Sequence, residues 1–194
     1  MSPAPRVEVR FAGTGGQGLI LAAKMLAQAL AAQGRAVAQS QLYEPTSRGG
    51  SCNADLVVAD SADTEVDYPL ATALGALVLL DAAGTPSSWP LLQPGAWVLA
   101  DTRLCPQWPD SAGLGLRAHA LPLTRTAIDL GSERVANIVA LGALTALTGL
   151  CTRATLEQTV RSDTPRAYVD LNLDALAAGW TMGQALLQPE PAAA

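Results

Sequence analysis

One stretch, VEVRFAGTGGQGLILAAKMLAQAL from Val7 to Leu30, governs what this chain can become. Val7, Val9 and Phe11 alternate with Glu8 and Arg10, the period of a strand with one face buried. Past the glycines, Leu19, Ala22, Ala23, Leu26 and Leu30 fall on one helical stripe, with Lys24 and Gln28 on the other side. Between the two, Gly13, Gly15, Gly16 and Gly18 lack the Cβ that would forbid positive φ or hold a ligand off the backbone. The amides that open a helix are unpaired and carry the positive end of its dipole, which suits a phosphate or carboxylate. Gly13, Thr14, Gly15, Gly16, Gln17 and Gly18 are therefore expected to bind an anionic group. Their spacing satisfies the dinucleotide fingerprint, with the strand before and the helix after that the fingerprint requires.

A nicotinamide cofactor would also need an acidic residue at the end of the second strand, about 20 positions on, to hold the ribose hydroxyls. The expected second strand, Arg35 to Gln41, contains none, and Glu44 follows in a Pro-bounded loop a few residues too late. The loop thus suits a phosphate-bearing ligand without the ribose clamp.

A second polar, backbone-flexible segment runs from Tyr43 to Ser51. Loops at the carboxyl ends of parallel strands share one rim, so Arg48, Gly49 and Gly50 are expected beside the first glycine loop. There Arg48 could grip a phosphate through two parallel hydrogen bonds.

Further strands are expected at Asn53–Ala59, Ala76–Leu80, Ala96–Ala100 and Gly113–Leu121, with short helices at Leu70–Leu74 and Trp89–Leu92. The apolar runs ending at Asp81 and Asp101 read as central parallel strands buried on both faces. The two acids read as caps of the turns that follow, and His119 reads as a core residue. Ser132 offers an N-cap for a helix over 133–148 that is apolar all round. One face of that helix is expected against another chain, and its Asn137 needs a hydrogen-bond partner. Helices at 155–161 and 173–187 precede a Pro-containing tail at 188–194. The fold class is α/β: a single doubly wound, mostly parallel sheet with helices on both faces, in one domain over residues 1–187.

Charged residues make up only 15% of the chain, against about 25% in an average soluble domain, which suggests a surface partly covered by partners. The net charge of −5 and the absence of a basic run argue against nucleic acid. Cys52, Cys105 and Cys151 form no CxxC pair, so no zinc or iron–sulfur site is recognisable, and unpaired thiols fit a reducing cytoplasm. No apolar run approaches the ~20 residues needed to span a membrane.

Four ordered pieces resemble the gamma subunit, or equivalent fused domain, of thiamine-diphosphate-dependent 2-oxoacid:acceptor oxidoreductases. They are GTGGQG with its small-residue helix, Tyr43–Pro45 with Ser47–Gly50, Asn137–Leu144, and Asn172–Gly179. The resemblance implies a non-autonomous subunit that contributes coenzyme A binding and assembly through the glycine loops, Arg48 and Asn137. Oxidative decarboxylation of the 2-oxoacid would then yield acyl-CoA, with electrons passing to ferredoxin or another acceptor. It also implies partners: a thiamine-diphosphate-binding subunit with Mg, a pyrimidine-domain subunit, and a ferredoxin-like subunit with 4Fe–4S clusters. The residues themselves leave two other readings open, a free-standing NAD(P)-binding oxidoreductase and a non-catalytic adaptor.

Overall fold

The computed structural model describes residues 6–43, 50–59, 61, 64, 66, 68–109 and 113–188. Six strands form one mixed sheet in the order β2-β3-β1-β4-β5-β6. They are β1 Arg6–Thr14, β2 Val37–Tyr43, β3 Ser51–Ala59, β4 Leu74–Leu79, β5 Leu92–Asp101 and β6 Arg117–Leu121. Strands β1, β4, β5 and β6 are parallel, whereas β3 runs antiparallel to both β1 and β2.

The alternation in β1 is not inside against outside. Glu8 and Arg10 are 2% and 6% exposed, so the strand is buried on both faces. Each charge has partners. Arg10 Nε and Nη2 donate to the two oxygens of Asp55 on β3 at 2.6 and 2.7 Å, and Nη1 donates to the Ser87 carbonyl at 2.8 Å. Glu8 accepts from the Thr72 and Ala73 amides and pairs with Arg6, and Asp55 also accepts from the Ala71 amide. These bonds hold 71–73 as an irregular approach to β4 where a short helix was expected. Removing one partner of a buried pair leaves an uncompensated charge at a cost of about 3–5 kcal/mol.

The two faces of the sheet are covered unequally. On one lie α1 Leu19–Ala32, α3 Leu123–Asp129, α4 Ala136–Thr148, α5 Arg153–Asp163 and α6 Val169–Leu187. On the other, short turns around α2 (Thr85–Ser88) and the segment after β5 bring Trp89, Leu91, Cys105 and Trp108 onto Leu77, Leu79 and Val98.

Helix α4 is buried from Ala136 through Leu147, as its composition implies, but the layer over it belongs to this chain. Helix α6 packs onto α4 at backbone distance. A Cβ on Gly142 would strike the Leu176 carbonyl, one on Gly179 the Val139 carbonyl, and one on Gly183 would lie 2.5 Å from the Ala143 carbonyl. Three missing side chains let two helices close without a partner subunit, which corrects the expectation that α4 faces another chain. Ser132 caps a single 3-10 turn, Glu133–Val135, ahead of α4. No helix among the described residues is long and apolar enough to cross a membrane.

Candidate functional site

Connections leave β1 toward β2 on one side and β4 toward β5 on the other, so the sheet's topological switch point lies between the carboxyl ends of β1 and β4. In open α/β sheets ligands bind in that crevice. The loop Gly13–Gly18 sits there, and three of its four glycines have internal explanations. Gly16 and Gly18 have φ of 94° and 73°. A Cβ on Gly13 would collide with the Gln17 side chain, and one on Gly18 would lie 2.5 Å from Asn137 Nδ2. Gly15 has neither constraint: its φ lies outside the left-handed region and nothing lies within 4 Å of where its Cβ would stand.

Gln17 is committed to the loop itself. Its Oε1 accepts from the Thr14 amide at 2.8 Å and its Nε2 donates to the Leu80 carbonyl at 3.1 Å, bracing the turn across β4. Asn137 braces it from α4, donating from Nδ2 to the Gly18 carbonyl at 2.9 Å, while its buried Oδ1 has no partner among the described residues. Gly15 N–H donates to the Gly50 carbonyl at 3.3 Å, so the start of β3 lies against the loop. The structure thus brings Gly13, Thr14, Gly15, Gly16, Gln17, Gly18, Gly50 and Asn137 together. Arg48 and Gly49 lie outside the described residues. Helix α1 begins at Gly18 with no side-chain cap, and no acidic residue occupies its first turn.

Three of the cavities among the described residues lie by the glycine loop or the first turn of α1. One of about 220 Å³ lies over Gly16, Gln17, Leu80 and Thr124, walled by Glu133 and Arg134. A second of about 460 Å³ runs from Thr14, Gly16 and Gly18 to Lys24, Tyr43 and Cys52. The third, about 560 Å³, is lined by Leu21, Arg134, Asn137, Asp163 and Tyr168, among others. Arg134 and Lys24 were not among the residues the sequence singled out. Arg134 was visible as the residue three before Asn137, hence on the same side of one helical turn. Lys24, the only lysine, pairs with Asp163 at 2.9 Å.

The remaining polar residues are structural. Asp81 Oδ1 accepts from the Ala83 amide, and Asp101 accepts from the Arg103, Leu104 and Thr124 amides, so both acids are the caps their positions suggested. His119 stacks on Trp97 at 6.0 Å between ring centroids, and burial lowers its pKa. The three thiols are buried and apart. Burial pushes Cys105 and Cys151 up to about 12, Cys105 being raised further by the charges of Asp81 and Asp101. Among the described residues no three metal-ligating side chains converge.

The family model described as pyruvate ferredoxin/flavodoxin oxidoreductase matches residues 8–182. The chain belongs to that family. It is 34% identical over 185 residues to the 2-oxoglutarate synthase subunit KorC of Archaeoglobus fulgidus, covering 95% of this chain and 91% of that one. The keto/oxoacid ferredoxin oxidoreductase gamma subunit of Geobacter sulfurreducens superposes with a TM-score of 0.80 at 35% identity, over 92% of this chain and 99% of the other. The 2-oxoglutarate:ferredoxin oxidoreductase of Magnetococcus marinus, solved with 2-oxoglutarate, coenzyme A and succinyl-CoA bound, shares the fold. Its TM-score is 0.80 at 24% identity, with 96% of this chain covering 32% of that longer chain. This gamma-type chain is therefore a subunit of a multi-subunit 2-oxoacid oxidoreductase rather than an enzyme by itself. The order of its strands adds a physical argument against the NAD alternative. Because β3 stands between β1 and β2, a carboxylate at the end of β2 would sit two strand spacings, roughly 10 Å, from the glycine loop.

Proposed function

We propose that the crevice at the end of β1 holds the phosphate-bearing portion of coenzyme A, and that this chain presents it to a thiamine-bearing partner subunit. Gly15 carries the reading: it is the one loop glycine for which the fold gives no internal reason, and it stands in the loop that leads into the uncapped start of α1. Backbone amides, the helix dipole, Lys24 and Arg134 supply positive character around it. Coenzyme A bound to the Magnetococcus enzyme supports the choice of ligand.

In the assembled enzyme a 2-oxoacid and coenzyme A yield acyl-CoA, carbon dioxide, one proton and two electrons. In this reading thiamine diphosphate with Mg, the pyrimidine domain and the 4Fe–4S clusters are assigned to partner chains. The thiamine cofactor supplies the carbanion chemistry, and the 2-oxoacid is selected where it is bound. This chain's part is to bind and orient the acyl acceptor. In this reading residues 1–187 act as one gamma-type domain and the complex works in the cytoplasm without nucleic acid or membrane; the tail expected at 188–194 lies, past Gln188, outside the described residues.

Gly15→Val tests the assignment, since its side chain enters open space without straining the backbone. Thermal stability should stay within about 1 kcal/mol of wild type, and 2-oxoacid alone should still reduce the clusters at the normal rate. The Michaelis constant for coenzyme A should rise at least tenfold. Unchanged coenzyme A dependence would remove the ligand from this crevice.

A further inference from the structure

Behind the glycine loop, on the sheet face opposite α1 and α4, a residue without a side chain lets a turn touch the end of β1. Gly84 closes the 3-10 turn Ala82–Gly84 and is buried. A Cβ there would lie 2.6 Å from Ala12 Cβ, 2.8 Å from the Gly13 nitrogen and 2.9 Å from the Ala12 carbonyl carbon. Its φ of −78° suits any residue, so close packing on β1, and not backbone conformation, is what calls for glycine.

The turn is fastened in place. Ala82 N–H donates to the Leu104 carbonyl at 3.1 Å, and just beyond Gly84 the Ser87 carbonyl accepts from Arg10 Nη1 at 2.8 Å. Ser87 Oγ accepts from Asn53 Nδ2 at 2.9 Å and donates to the Gly84 carbonyl at 3.4 Å. Arg10 and Asn53 are buried, and Arg10 is itself fixed by both oxygens of Asp55. The loop in front is held by neutral hydrogen bonds from Gln17 and Asn137, which yield more cheaply than a buried charged pair. We infer that Gly84 is a positioning residue for the acyl acceptor: fastened through Ser87 to Arg10 and Asn53, it backs the end of β1 and sets how far the loop stands forward in the crevice. This rests on the coenzyme A reading and gives the buried Arg10–Asp55 pair a part in it.

The test uses the assembled oxidoreductase with coenzyme A as the varied substrate. In Gly84→Ala one side must give by roughly 0.5 Å or more, and the loop should be the side that moves. The Michaelis constant for coenzyme A should rise about tenfold, since a misplacement of ~1 Å can cost about 100-fold. Turnover at saturating coenzyme A and cluster reduction by 2-oxoacid alone should stay near wild type. Adding Ala12→Gly removes the closest contact and should recover part of the loss. An unchanged Michaelis constant with only a lowered melting temperature means that the turn gives instead, and overturns the inference. So does an equal rise in Asp81→Ala, which slackens the same turn without adding an atom against β1, or a matching loss in cluster reduction by 2-oxoacid alone. If Gly84→Ala fails to assemble, the double variant decides: a raised constant supports the inference and an unchanged one overturns it. If Gly15→Val impairs coenzyme A use and Gly84→Ala does not, only the backing role is wrong. If neither variant changes coenzyme A dependence, the coenzyme A reading fails with it.

Discussion

Helices α1 and α3 both begin on the carboxyl rim of the sheet, yet their first turns are finished in opposite ways. At α3 the chain supplies its own anion: Asp101, fully buried at the end of β5, accepts from the Thr124 amide at 2.6 Å while also closing the turn at Arg103 and Leu104. Asp81 closes the turn after β4 in the same manner. At α1 the corresponding strand ends in glycines, no side chain caps the helix, and two arms of the chain, Gln17 and Asn137, hold the loop without supplying charge. The proposed anion site would arise here by omission. Two turns after strands are shut by carboxylates, whereas the start of α1, where an outside anion is proposed to enter, has none.

The largest effect that could break this contrast is expected at Asp101. Asp101→Ala strands three amide donors around a buried position and should cost about 3–5 kcal/mol, read as a fall in the urea midpoint with an unchanged slope. A loss below 1 kcal/mol would mean that α3 does not depend on its internal carboxylate. Next comes Gly15→Asp, which places a carboxylate at the open rim position. Coenzyme A affinity should drop about 10- to 100-fold at low salt, worth roughly 1.4–2.8 kcal/mol, and recover partly at high ionic strength. A salt-independent loss equal to that of Gly15→Val would show crowding rather than charge. Asp81→Ala removes a partly exposed cap and should cost about 1 kcal/mol in thermal unfolding without touching coenzyme A use.

The smallest signal is chemical. Cys105 lies under the two acids, and its thiol is raised from the usual 9 to about 12 by burial and then by Asp81 and Asp101. The folded state keeps this proton longer than the unfolded chain does. Its contribution to stability is therefore intact below pH 9 and is lost progressively as pH rises toward 12. Iodoacetamide at pH 8 should leave Cys105 unmodified until the chain unfolds, and native-state alkylation would contradict its placement.

The sequence discloses those parts of the molecule whose signals are local. Glycines between an alternating run and an amphipathic run mark β1, the loop and α1. An aspartate ending an apolar run marks a capped turn, and Ser132 marks a helix entry. What stays hidden depends on pairing across the chain. Nothing in NADLVVA announces that it reverses direction and slips between β1 and β2, and only that insertion makes Asp55 the partner of Arg10. Glu8 and Arg10 look solvent-facing because a buried charge is identified by its partner, not by its own residue type. Gly142, Gly179 and Gly183 read as small residues in apolar helices, and their meaning as a contact between α4 and α6 appears only when the two are docked. Arg134 escaped notice for a similar reason, since its worth lies in the cavities that meet at it.

That glycine contact works as a depth stop for the site. Helix α4 cannot approach α6 any closer than backbone against backbone, nor retreat without opening a gap, so its seat is tightly set. The first turn of the same helix carries Asn137, whose amide touches Gly18, and follows directly on Arg134. The aperture through which an acyl acceptor would enter is therefore gauged by residues that never meet it. Gly179→Ala, a single methyl group wedged between two buried helices, would register first as a misfit at the mouth of the crevice.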